Sequence, residues 1–492
     1  MGRRVLPPTG WAPLLIGAVG AGLLAALFLS FPPGITPDSV HYLYAAQSLV
    51  REGTLFRYGH TLFLSWPPLY PALLAVPLAA GLTPFTAAKV INLLAYVLLG
   101  VWTWPLTRRL VRSHHMRLMA YALIMWGFPV FWVHLHAWSE PFFLVFTTAF
   151  ITLALRYIAH GGKGYLMGVV IALALATLQR YIGVVWIGVW VWWVWQWKRA
   201  PRRQRLLTAA GTAALALLPL SVWLLRNYGL SHTLTGPRPA PDISLITWFR
   251  DALWTIGEWV LPLTARYPLW SLVLTVTVAV FLVRWRRVLG HFSTTEKMLW
   301  GAAGAYLAFL ALGSMTAAVD APRQRLLSPI YPVFVLLLTA RLEQVPRPWK
   351  NAAVAILFLT ASFHIVHLAR EAWRNDGFTF THRWWRQHPT VTWVQQHADD
   401  HTLLLSNYPE VFFVADGMHS DPVRPLWNVS VPLDSVRPPR SKTVFLIWFH
   451  TRPRPWLHPL DSLRRRFPMR RVQRYERADI WEIIPDYSPS SN

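Results

Sequence analysis

The sequence predicts an all-α polytopic membrane bundle of about eleven transmembrane helices, followed by a small C-terminal α/β soluble domain. Three observations carry this. The chain is 54% hydrophobic with only 14% charged residues, against roughly 25% charged in an ordinary soluble domain. Long apolar runs alternate with short Arg and Lys clusters. After about residue 370 the runs stop and charge rises.

Apolar stretches long enough to span a bilayer are expected at 11–31, 86–106, 117–136, 140–159, 164–179, 181–197, 206–225, 267–284, 298–317, 328–343 and 351–369. The first follows a basic head, yet no small-residue cleavage site precedes Pro32, so it reads as a retained helix. Pro67–Leu82 is apolar but short and proline-rich, and reads as a juxtamembrane or re-entrant element. The positive-inside rule orients the bundle. With Arg3 and Arg4 in the cytoplasm, the basic clusters at Arg108–Arg117, Arg156–Lys163, Lys198–Arg205, Arg284–Lys297 and Arg341–Lys350 fall on alternate loops. The plasma (inner) membrane, with an extracytoplasmic C-terminus, is the expected location.

The outer loops are longer and more acidic, beginning with 32–85. A membrane module over 1–370 and a soluble domain over 371–492 follow from this division. In the tail, TVTWVQQHADD reads as a helix, and TLLLSNYP, TVFLIWFH and ADIWEIIP as strands. The run Arg464 to Arg474 reads as a solvated face, with anionic headgroups as the alternative partner.

The formal net charge of +25 does not imply nucleic acid, because the excess sits in loops between spans and no recognition motif accompanies it. The absence of cysteine excludes disulfides, thiolate metal sites and a cysteine nucleophile. No phosphate loop, nucleophile elbow or zinc motif is present, and no repeat of transporter length. The tryptophan-rich run Val185–Lys198 reads as packing and interface anchoring.

Ionisable residues gather at the outer ends of the spans. Asp38 opens a helical stretch in the first loop and reads as its N-cap or as a functional carboxylate. His134, His136 and Glu140 lie where one span ends and the next begins. Arg180, Arg226, Asn227, Asp320, Arg323 and Arg325 lie at later outer turns. Charge at membrane depth is costly and points to function. Each arginine alone reads as a snorkelling or paired side chain; the group reads as a phosphodiester site. His134 and His136 are spaced for opposite helix faces and are not expected to share a metal. Asp38, Glu140, His41 and His60 leave a divalent cation such as Mg or Mn open.

Four stretches then resemble the GT-C superfamily of membrane glycosyltransferases, in the branch of bacterial protein O-mannosyltransferases and aminoarabinose lipid A transferases. They are PDSVHYLYAAQSLVREG with WPPLYPALLA; WSEPFFLVFTTAFI; ALATLQRYIGVVW with PLSVWLLRNYGLSHTLTGPR; and DAPRQRLLSPIYPVF. The resemblance covers about 32–340. It implies a bundle with a large first outer loop, a polyprenyl-phosphate-linked sugar as donor, and Asp38 as the catalytic acid. Relatives often carry a second acid next to it; here Ser39 follows, which makes Glu140 the natural second carboxylate. By motif, Arg180, Arg226, Arg325 and, less directly, Arg323 would hold the donor phosphate. His41, Tyr42, His60, Tyr70, Asn227 and Asp320 are the expected substrate-binding residues. The expectation is a glycosyltransferase that moves the sugar to a hydroxyl on a lipid, glycan or protein acceptor at the outer membrane face, with the bilayer as its other partner. A transporter or flippase of lipid-linked sugars is the alternative, and a non-catalytic scaffold the last.

Overall fold

The computed structural model describes residues 10–484 apart from 198–199, 237–240, 242, 262–275, 277–291, 318–319, 421, 430, 440, 452–453 and 455. The chain is a multi-pass membrane protein. Among the described residues, eight helical segments are long and apolar enough to cross a membrane: Ala12–Ser30, Pro84–Leu110, His114–His134, Glu140–His160, Arg202–Ser231, Thr294–Thr316, Gln324–Leu342 and Arg347–Asn375. Each overlaps one of the expected spans. The stretches expected at 164–179 and 181–197 form the shorter apolar helices Lys163–Gln179 and Tyr181–Gln196. The span expected at 267–284 lies, but for Val276, outside the described residues, as do Arg3, Arg4, Lys198, Arg199, Arg284, Arg286 and Arg287.

We label the helices that frame the site α1 (Ala12–Ser30), α2 (Pro37–Glu52), α3 (Leu69–Ala79), α4 (Pro84–Leu110), α5 (His114–Met125), α6 (Phe128–His134), α7 (Glu140–His160) and α8 (Lys163–Gln179). Helix α2 starts with Thr36 as N-cap and Pro37 at the first helical position, where a missing N–H costs nothing. Asp38 is therefore not the cap. The Ser39 hydroxyl accepts from the Thr36 N–H at 3.1 Å, which gives Ser39 a capping role. Gly53 ends α2 in the left-handed conformation. A two-residue hairpin, β1 (Phe56–Arg57) with β2 (Thr61–Leu62), then leads to α3, the proline-rich apolar element.

Helices α3, α4, α7 and α8 pack in a ring, α3 against α4 and α8, α7 against α4 and α8. The tryptophan run divides by face. Trp186, Trp190 and Trp193 are fully buried, with Phe150 of α7 stacked on Trp193 at 5.8 Å, while Trp192 and Trp195 stay exposed. Helical spacing separates the two sets.

The soluble unit holds a five-stranded sheet of order β4-β3-β5-β7-β6. Strands β3 (Thr402–Ser406), β5 (Thr443–Phe449) and β7 (Ala478–Ile483) are the three read from sequence. Strand β3 is parallel to β4 (Val423–Pro425) and β5, and β7 is antiparallel to β5 and to β6 (Met469–Tyr475). The arginine run divides between the helix Leu460–Arg466 and the exposed edge strand β6. Charged side chains on an edge discourage pairing with other chains.

The loop between α1 and α4 and the C-terminal region clasp each other. Phe380 N–H donates to Ile35 C=O at 3.0 Å, and the Thr381 hydroxyl donates to Pro33 C=O at 3.1 Å. The Tyr58 hydroxyl donates to Val423 C=O at 2.9 Å, and Gln47 Nε2 to Met418 C=O at 3.1 Å. Phe413 packs on Tyr44 and Tyr58 with ring centroids 5.8 and 5.1 Å away. The soluble unit thus holds α2, and with it Asp38, against the bundle.

Candidate active site

Arg325 sits at the centre of a charged cluster. It follows the non-helical segment 320–323 and lies in the first turn of the span Gln324–Leu342. Its Nη2 donates to Asp38 Oδ2 at 2.6 Å, its Nε to Glu140 Oε1 at 2.7 Å, and its Nη1 to Asp320 Oδ2 at 3.0 Å. One guanidinium so joins three carboxylates from three separate turns. Its carbon lies 4.7 Å from the ring centroid of Trp138, which supports the cation from one face. Arg180 reaches the same Glu140 oxygen and donates to Ser139 Oγ at 3.1 Å. Two arginines share one carboxylate whose side chain is only 1% exposed.

Asp38 is half-buried in this cluster. Enclosure by protein works against its charge, but the Arg325 guanidinium outweighs that, and the carboxyl ionises below its ordinary value. His41 follows one turn later on the same helix. Burial pushes its imidazole down to about 4, so it is neutral at physiological pH. Its ring lies 5.1 Å from that of Trp66. Tyr42 is buried, and burial followed by the nearby Asp38 charge raises its hydroxyl, keeping it a donor. Tyr70 stands edge-on to Tyr42 at 5.2 Å.

Other expected site residues lie apart from the cluster. His60 is exposed on the hairpin, stacked on Phe56 at 4.3 Å and 3.8 Å from Glu52. Glu52 closes α2, about 20 Å of helix beyond Asp38. Arg323 points to Asp251, 3.4 Å away on the helix Leu245–Val260, a pairing that sequence reading missed. Arg226 donates to Asn227 Oδ1 at 2.9 Å and to Phe63 C=O at 3.3 Å, and lies over Trp223. Asn227 donates to Leu64 C=O at 3.3 Å. Arg226 and Asn227 therefore bind the backbone of the loop between α2 and α3.

Both histidines of the pair bond the backbone of their own segment. His134 Nδ1 bonds Val130 C=O at 2.7 Å, and His136 Nδ1 bonds Trp132 C=O at 2.8 Å. His136 stacks on Trp138 with centroids 4.1 Å apart, so it backs the ring that supports Arg325. Among the described residues no group of three or more His, Asp or Glu side chains is arranged to hold a metal ion.

Neither a family model nor a curated protein matches the sequence. Solved structures do match by shape. ArnT of Cupriavidus metallidurans, bound to undecaprenyl phosphate, aligns over 97% of this chain and 98% of its own, with TM-score 0.62 and 13% identity. The apo state of the same protein aligns over 96% and 98%, with the same score and identity. The chain has the GT-C fold. An oligosaccharyltransferase of Archaeoglobus fulgidus aligns more loosely, over 85% of this chain and 64% of its own, with TM-score 0.47 and 11% identity. In the GT-C fold of this chain, Asp38, Glu140, Arg180, Asp320 and Arg325 converge at one end of the bundle, where the first loop and the soluble unit meet it.

Proposed function

We propose that the protein is a glycosyltransferase that takes a sugar from a polyprenyl-phosphate donor and transfers it to an acceptor hydroxyl at the outer face of the plasma membrane. The observation that carries this reading is Arg325, joined to Asp38, Glu140 and Asp320 at one end of a GT-C-fold bundle. The similar ArnT structure holds undecaprenyl phosphate, which supports a lipid phosphate as the ligand of this cluster.

Arg325 and Arg180 are the arginines to hold the donor phosphate. Arg226 and Arg323 stand outside the cluster and are not assigned that role. A diphosphate-free prenyl phosphate leaves with its charge on oxygen, and fixed guanidinium groups stabilise that charge as it develops. Glu140 keeps both arginines aimed at one place. Asp38 is the base that accepts the proton of the attacking hydroxyl, while the oxygen bonds to the anomeric carbon and the phosphate departs from the opposite side, with inversion.

Before donor binds, Arg325 holds Asp38 as a weak base. A phosphate that draws Arg325 onto itself relieves Asp38 of that partner and raises its basicity. Donor binding thereby prepares the base, and positioning supplies the rest. A transfer assay comparing wild type with Asp38→Asn tests the reading: the variant should bind donor and fail to transfer.

A further inference from the structure

The Glu140 side chain offers one oxygen to the two arginines and leaves the other, Oε2, buried with no hydrogen-bond partner among the described residues. Two further buried polar atoms share that condition nearby. Gln179 donates through Nε2 to Ser139 C=O at 2.8 Å, next to Glu140 in sequence, while its Oε1 has no partner. Tyr70 is fully buried, and its hydroxyl has none either. These residues come from α7, α8 and α3, which pack on one another. Burial, then the neighbouring Tyr42 and Glu140, hold the Tyr70 hydroxyl far above its ordinary value, so it remains a hydrogen-bond donor.

A buried polar atom without a partner costs free energy in the empty protein. Three such atoms on helices that pack together are accounted for when a ligand rich in hydrogen-bonding groups completes them. We infer that Glu140 Oε2, Gln179 Oε1 and the Tyr70 hydroxyl form a recess that recognises the ring hydroxyls of the donor sugar. The inference rests on the donor reading above and deepens it. Position argues for the donor ring over the acceptor: Oε2 belongs to the carboxylate whose other oxygen aligns the phosphate-binding arginines, and the transferred ring is bonded to that phosphate. The chemistry fits hydroxyls. Two oxygens can only accept, and the third group both donates and accepts, as vicinal hydroxyls require. Selection between sugars would follow, because a site built to bond a hydroxyl rejects a ring that lacks it.

Tyr70→Phe is the decisive variant, because it removes only an atom that has no partner in the free protein. Its thermal midpoint without ligand should equal or exceed that of wild type. Binding of farnesyl phosphate, bare or carrying mannose, glucose or galactose, is then measured in nanodiscs. Wild type should bind at least one sugar-bearing form more tightly than the bare phosphate. Tyr70→Phe and Gln179→Leu should weaken that form about tenfold, and the bare phosphate less than about twofold. Equal loss for both ligands, or no loss for either, overturns the recess and leaves it as a site for water. If the sugar adds no affinity to wild type, the recess fails while the phosphate site stands. If wild type binds neither ligand, the donor reading itself fails.

Discussion

At the scale of single residues, the site depends on one arginine with three acidic partners. Position at the ends of apolar runs pointed to Asp38, Glu140 and Arg325, and the family resemblance implied their roles. Position did not separate them from Arg226 and Arg323, which have the same character and face elsewhere. Nothing local distinguishes an arginine that meets Asp38 across 287 positions from one that meets a backbone carbonyl of the first loop. Ser39 was equally opaque: its place in the cap of α2 became visible only with Thr36 as N-cap. His41 gives a prediction at this scale. Its folded value is about 4 against 6.5 unperturbed, so as pH falls below 6.5 the unfolded chain binds its proton first and stability drops. The drop should level off below 4. His41→Phe, which keeps a ring beside Trp66, should flatten the pH dependence of thermal unfolding between 7 and 4. The ring is partly reachable by water, so the difference should be at most about 2 kcal/mol. An unchanged slope would show that the imidazole titrates normally.

At the scale of elements, the segment before α2 decides where Asp38 stands. Gly34 N–H donates to Leu135 C=O at 2.8 Å, Ala137 N–H donates back to Gly34 C=O at 3.0 Å, and Trp138 Nε1 donates to Thr36 Oγ1 at 2.8 Å. A methyl group at Gly34 would overlap the His136 ring, which is held between Trp132 and Trp138. The ring has no free direction, so the backbone must give. Gly34→Ala should therefore lower stability by about 1–3 kcal/mol and reduce transfer beyond the loss of folded protein. Unfolding midpoints and activity per folded molecule measure the two effects; a variant with wild-type values would remove the loop from the account. The helix Leu245–Val260 shows what apolar-run reading overlooks. Trp248, Ala252, Thr255 and Trp259 are buried at helical spacing, a periodic signal between the spans expected at 206–225 and 267–284.

At the scale of the molecule, most of the architecture was legible. Eight spans and three strands announce themselves by long apolar runs and by short aliphatic-aromatic runs between turn residues. The soluble unit's grip on α2 was not legible, since Tyr58 with Val423 and Ile35 with Phe380 are contacts across most of the chain. Strand β6 was hidden by its arginines, which suit an edge that faces water. Orientation can be tested cleanly because the chain has no cysteine. Lys163 and Lys442 are both exposed, at the start of α8 and beside β5. In intact cells, a membrane-impermeant maleimide should label Lys442→Cys and spare Lys163→Cys until the membrane is opened. The reverse pattern would place the cluster on the cytoplasmic side and overturn the proposed location.

The most direct test of the central claim is sugar transfer in purified nanodiscs. Radiolabelled polyprenyl-phosphate sugars would be offered with a membrane acceptor extract to wild type and to Asp38→Asn. The substitution keeps the size of the side chain and removes the base. The account predicts transfer by wild type and a loss of at least about a thousandfold in the variant, with donor binding retained. Transfer by a well-folded Asp38→Asn protein at the wild-type rate would contradict it.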